Sequence, residues 1–256
     1  MVTKDRPGTG ASRALAPEEI PAMVASGNED ILFSLIDNPA FDETHVCLLL
    51  ERRDLPGTLL DEIAKRKSWR ASYRVRLALA AHPHTPRLIA MRLLRDLHLM
   101  DLVRISLLAA TAGELRRLAE ERVLAQVPQL PVGQRLMLAR RGSSRVAAGL
   151  IAHGPENVVR IALDNAYLTE SQLLKALAKQ SVAARIVAAV AKHQKWSRSV
   201  NIRVAVLRHA NSPAECTPAL VLDLPRRDIE DLLQISGLAG SVRAFLRQEL
   251  GRREGS

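Results

Sequence analysis

The sequence predicts an all-α protein, a right-handed α-solenoid of about six to seven degenerate helix-pair repeats. Three observations lead there. A twenty-residue scheme is written twice without a gap, as VRLALAAHPHTPRLIAMRLL at 75–94 and VRIALDNAYLTESQLLKALA at 159–178. The chain is 47% hydrophobic but only 3% aromatic, a mixture that favours many small helix–helix contacts over a few bulky anchors. Between the leucine- and alanine-rich runs stand short polar turns with Thr-Pro, Ser-Pro and Gly-Ser, at the spacing expected of paired short helices.

Taken in order, the first unit is ILFSLIDNPAFD from Ile31. It is followed by VRLALAAHPHTP from Val75, VRISLLAAT from Val103, QRLMLARRGSS from Gln134, VRIALDNAYLT from Val159, the weaker ARIVAAVAKHQ from Ala184, and IRVAVLRHANSP from Ile202. Starts fall about 18 to 31 residues apart, near the spacing of stacked helical repeats. Helices of ~10 residues are marginal alone in water, so each pair must bury its apolar face on the next.

Helix starts are read from capping chemistry. Ser72, Asp101, Asn157, Ser181 and Ser199 precede the repeat arginine by three or four positions and are expected to accept first-turn N–H groups. Thr85-Pro86 and Ser212-Pro213 place a hydroxyl before a proline at the first helical position. Thr169 with Gln172 and Thr111 with Glu114 have capping-box spacing. His82 and His209 sit at equivalent turn positions and are expected to satisfy a helix end.

VRLALAAHPHTP and IRVAVLRHANSP resemble the units of leucine-rich repeat variant and HEAT-like α-solenoid repeats. Those units read Val-Arg-x-Ala-[Leu/Val], a turn of the Asn/His-Pro-x-Thr-Pro type, and a Leu-rich helix. The likeness covers about residues 30 to 223, with the remainder fitting as a divergent cap that ends near AGSVRAFLRQEL. It implies an armadillo-type superhelix used as a binding surface, and by itself no particular ligand. Some leucine-rich repeat variant proteins carry an iron–sulfur cluster on an N-terminal cysteine set. Here no cysteine precedes Cys47, so that property is not carried over. The expected organisation is a disordered tail at 1–15, one repeat domain at 16–250 and a short disordered tail at 251–256.

Six units carry an arginine at their second position: Arg76, Arg104, Arg135, Arg160, Arg185 and Arg203. A ladder aimed at phosphates is one reading. The other, preferred here, is scaffold: the stem packs between repeats while the head bonds carbonyls or carboxylates.

Two longer segments align without gaps, AKRKSWRASYRVRLALAAHPHTP from Ala64 and AKHQKWSRSVNIRVAVLRHANSP from Ala191, matching Lys65 to Lys192 and Trp69 to Trp196. Tryptophan among basic residues suits a stacking platform for single-stranded nucleic acid. Because other units hold Leu97 or Ala178 at that position, packing in a slot between repeats is the preferred reading. Charge is segregated as well. Nine Lys or Arg residues and no acid lie between Glu62 and Asp96, and eight and no acid between Glu170 and Glu215. The net charge is +10 with a pI near 10.4, which attracts phosphates and acidic proteins. The residues expected to hold an anionic ligand or partner are Lys65, Lys67, Trp69, Arg70, Arg74, Lys192, Lys195, Trp196 and Arg198. On an α-solenoid they would lie along one edge; the alternative is that arginine merely fills solvated faces.

No HExxH, GxxxxGK[ST] or GxSxG occurs, GTG at 8–10 lies in a polar segment rather than after a strand, and the seven histidines have no metal-ligand spacing. Two distant cysteines build neither a disulfide framework nor a thiolate site. The expectation is therefore a cytoplasmic, non-catalytic scaffold or adaptor without cofactor, metal or membrane span. It would hold a protein partner, an acidic one by charge, on its concave face and basic edge. The alternative is nucleic-acid binding through the two Trp-containing segments. A base-repair enzyme would need an acid beside aromatic and basic groups, and neither basic segment contains one.

Overall fold

The structure, a computed structural model, describes residues 17–254 apart from residue 180. The N-terminal tail expected at 1–15, with its GTG, lies outside the described residues. The chain divides by contacts into two compact units, the first ending at Ala119 and the second starting at Glu120. Among the described residues every regular element is helical.

The first unit contains α1 (Ile20–Ser26), α2 (Glu29–Ile36), α3 (Glu43–Leu49), α4 (Gly57–Lys65), α5 (Lys67–Ala71), α6 (Tyr73–Ala81), α7 (Arg87–Leu93) and α8 (Leu99–Leu107). The division falls within α9 (Gly113–Gln126). The second unit contains α10 (Val132–Arg141), α11 (Ser144–His153), α12 (Glu156–Leu163), α13 (Glu170–Leu177), α14 (Ala184–Lys192), α15 (Val200–Arg208), α16 (Thr217–Val221), α17 (Arg226–Leu233) and α18 (Gly240–Glu254).

Packing is local in sequence. α1 touches α3, α2 touches α4, α4 touches α6, and α6 touches α8; in the second unit α10 touches α12, α11 touches α13, α12 touches α14, and α13 touches α15. The buried faces are the Leu, Ile, Val and Ala positions of the repeats, including Val75, Leu79, Val159, Leu163, Ile202 and Val206.

Several of the expected helix starts hold. Ser72 and Ser199 accept the N–H groups of Val75 and Ile202, each at 3.3 Å, and Thr169 accepts that of Gln172 at 3.4 Å. Others differ. Asp101 lies inside α8 and Asn157 inside α12, while α14 starts after Ala183 rather than at Ser181. Thr85 does not cap α7; its buried hydroxyl donates back to the Leu79 carbonyl at 2.7 Å. Thr111 Oγ1 and Ser212 Oγ are buried without a hydrogen-bond partner among the described residues. Caps that the sequence reading missed are Asn28 and Ser143, and the reciprocal pair Asp42–His45 at the start of α3.

The turns join neighbouring repeats. His82 Nδ1 accepts the His84 N–H at 3.2 Å, so its Nε2 carries the hydrogen and donates to the Arg52 carbonyl at 2.7 Å. His209 repeats this with the Asn211 N–H (3.0 Å) and the Lys179 carbonyl (3.3 Å). Asn165 does the same with an amide, accepting from Tyr167 and donating to Ala139 and Gly142. The helix-end role expected of the two histidines is thus filled, and the end they satisfy belongs to the preceding repeat.

The repeat arginines split into two groups. Arg76, Arg135 and Arg203 are half-buried and occupy the fourth position of their helices, where a side chain leans toward the N-terminus over the first turn. They donate to the carbonyls of Arg70 (3.4 Å), Leu130 (2.9 Å) and Ser197 (2.5 Å). Arg243, fourth in α18, joins them by donating to Ile235 at 2.6 Å. Arg104, Arg160 and Arg185 stand at the sixth, fifth and second positions and are exposed, so the scaffold role expected of all six fails for these three. A register shift of one residue rotates a side chain by about 100°, enough to miss the loop.

α18 continues to Glu254, four residues into the segment read as a disordered tail. Arg253 there donates to the carbonyls of Leu224 (2.7 Å), Leu222 (3.0 Å) and Val221 (3.1 Å) and is held by Glu249.

Candidate functional site

In the first unit, α4, α5, α6 and α7 enclose a cleft of about 720 Å³. Five cationic side chains line it, Lys65, Lys67, Arg70, Arg76 and Arg92, together with two acids, Asp61 and Asp96. Its apolar lining is Ala64, Ala71, Ile89 and Leu93.

The five cations are not equivalent. Lys65 is committed to Asp61 (2.7 Å) and Glu62 (2.8 Å), which hold its ammonium pKa well above the usual lysine range. Lys67, Arg70 and Arg92 are exposed and make no ion pair among the described residues. Arg76 is held in place. One terminal nitrogen reaches the Arg70 carbonyl, and its guanidinium lies 5.7 Å from the centre of the Tyr73 ring. Tyr73 is itself anchored, donating to Asp101 and accepting the His98 N–H at 3.0 Å. The Arg76 Nε–H is buried without an acceptor among the described residues.

Of the residues expected from sequence in this segment, Lys65, Lys67 and Arg70 meet in the cleft. Arg74 is exposed and does not line it. Trp69 is buried at 8% exposure, edge-on to Phe41 at 6.0 Å and beneath the Arg66 guanidinium at 4.7 Å, so its faces are covered. Arg66 is spent on the Ile36 carbonyl and Asp37. Arg92 is one cation among many in the acid-free run, and Arg76 carries the scaffold signature of a repeat arginine. Each reaches the cleft from its own helix, α7 and α6, and only the packing of those helices brings them together.

The second segment behaves differently. Trp196 is buried at 5% exposure and its indole N–H donates to the Leu163 carbonyl at 2.9 Å. Lys195 covers that ring at 4.2 Å and Lys192 lies 3.7 Å from Glu215, while Arg198 is exposed. The packing reading of both tryptophans therefore holds. The acid-free run is answered in part from elsewhere in the chain: Arg203 pairs with Asp223, in the turn after α16, and the His193 ring lies 3.1 Å from Asp164, in the turn after α12. A separate groove of about 600 Å³ in this unit is mostly apolar, lined by Leu174, Leu177, Ala205 and Ile235 together with Arg208.

Cys47 and Cys216 are free thiols, and burial pushes the pKa of both up, away from the thiolate. Among the described residues no group of His, Cys, Asp or Glu is arranged to hold a metal ion, and no helix is long and apolar enough to cross a membrane. No family model, curated protein or solved structure significantly matches the chain.

Proposed function

We propose that the protein is a non-catalytic binding scaffold of the cytoplasm that holds an acidic protein partner on its basic surface. In this reading each unit is a stack of helix pairs of the right-handed α-solenoid kind, akin to leucine-rich repeat variant and HEAT-like repeats. The neighbour and next-but-one helix contacts, and the turn side chains that bond the preceding repeat, support it.

One observation carries the function: Lys67, Arg70 and Arg92 converge beside a strip of apolar lining without an acid partner among the described residues. Convergent cations next to apolar area suit a peptide that offers both carboxylates and side chains. Burial of Trp69 and Trp196 weighs against the nucleic-acid alternative, since base stacking needs an open ring face.

The test is fluorescence anisotropy with a labelled Glu-rich peptide and with single- and double-stranded DNA over a range of salt. The scaffold reading expects the peptide to bind and Lys67→Glu/Arg70→Glu/Arg92→Glu to abolish it. Tighter binding of DNA with a steep salt slope would put the nucleic-acid alternative in its place. No binding of any probe at low salt ends both.

A further inference from the structure

Within that scaffold reading, on which this rests, we infer that the cleft between α4 and α7 recognises a phosphorylated serine or threonine side chain of the partner. The observation is a set of guanidinium and ammonium groups delivered from three consecutive helices to one small concavity. Lys67 and Arg70 come from α5, Arg76 from α6 and Arg92 from α7. A phosphomonoester carries nearly two charges and three acceptor oxygens, enough to engage several cations at once, where a single carboxylate offers one charge and two oxygens.

Arg76 is the pre-organised member. Its guanidinium is fixed by the Tyr73 ring and the Arg70 carbonyl before any ligand arrives, and its buried Nε–H has no acceptor among the described residues. Arg70 and Arg92 are free to close around such a ligand, each with a fork of donors.

The acids narrow the ligand. Asp61 and Asp96 line the same cleft, and Asp61 neutralises Lys65, so the positive field is confined to one part of the concavity. A continuous phosphate backbone would run its neighbouring charges past these carboxylates; an isolated phosphate on a peptide would not. Among the described residues no aromatic side chain lines the cleft to stack a base, whereas Ile89 and Leu93 offer an apolar strip to a residue flanking the modified one.

The test uses the full-length protein and a short fluorescein-labelled peptide with one phosphoserine next to a leucine. The same peptide with Ser or Glu is run beside it, inorganic phosphate and single-stranded DNA serve as competitors, and binding is read by anisotropy. The phosphoserine peptide is expected to bind roughly tenfold or more tighter than the Glu peptide and to be displaced by inorganic phosphate. Arg70→Ala/Arg92→Ala should erase the preference. Arg104→Ala, exposed in the same unit but outside the cleft, should keep it. Because Arg76→Ala could unfold the region, Arg76→Lys is the matched variant, expected to lower the preference with an unchanged thermal melt. Equal binding of the Glu and phosphoserine peptides overturns the phosphate site and leaves the scaffold reading standing. Failure of every peptide overturns both. DNA that displaces the peptide and depends on Arg70 and Arg92 overturns the inference in favour of nucleic acid.

Discussion

His82 and Arg52 stand thirty residues apart in the chain, yet the imidazole Nε2 of one lies 2.7 Å from the backbone carbonyl oxygen of the other. The same ring accepts the His84 N–H through Nδ1, so a single buried side chain closes its own turn and ties down the end of the preceding repeat. Only the neutral ring does both. A proton on Nδ1 would face the His84 N–H donor.

The first prediction follows from that geometry. Burial lowers the His82 pKa from its ordinary value, so between that lowered value and about 6.5 the unfolded chain binds the proton and the folded one does not. Stability from this site is complete above about pH 6.5 and is lost as pH falls toward the folded-state pKa. Urea denaturation from neutral to acid pH should show this loss in the wild type and less of it in His82→Asn, since Asn165 fills the equivalent role with an amide. His82→Ala should cost about 1–3 kcal/mol near neutral pH by leaving buried groups unpaired.

Trp196 tests packing against stacking. Trp196→Phe removes the bond to the Leu163 carbonyl and should destabilise by about 1–3 kcal/mol, and Trp196→Ala by about 3–5 kcal/mol. A surface platform for bases would tolerate either change in a thermal melt.

Two arginines of one sequence pattern should respond differently. Arg203, with its side chain 12% exposed, bonds the Ser197 carbonyl and Asp223, and Arg203→Ala should cost about 1–3 kcal/mol. Exposed Arg160→Ala should stay within about 0.5 kcal/mol in the same denaturation assay.

Deleting the chain from residue 251 onward removes Arg253 and with it the bonds to the carbonyls of Val221, Leu222 and Leu224. A loss of about 2 kcal/mol or more is expected in chemical denaturation, where removal of a disordered tail would change nothing.

Gly142 ends α10 with an ordinary negative φ, so its requirement is space rather than backbone freedom. A Cβ there would sit 2.6 Å from the Leu138 carbonyl oxygen and 2.8 Å from a Val146 methyl. Gly142→Ala should therefore destabilise by about 1–3 kcal/mol, read as a lower melting temperature.

The sequence by itself determined the helical class, the alternation of short helices and turns, and the covered tryptophans. Each rests on local periodicity, capping chemistry or comparison of one repeat with another, and Ser72, Thr169 and Ser199 fill the roles their positions announce. What the tertiary structure decided was partnership. Arg76 and Arg160 share a motif position, but a one-residue difference in where their helices begin sends one to a loop carbonyl and the other to solvent. In the same way the acid-free run from Lys65 to Arg95 does not disclose which charges are answered. Arg66 meets Asp37 and Arg87 meets Glu114, nearly thirty residues away, while Lys67, Arg70 and Arg92 form no ion pair among the described residues and gather in one cleft. Hydrogen bonds and ion pairs act over a few ångströms in space, and the chain's own numbering carries no measure of that distance until neighbouring helices have packed.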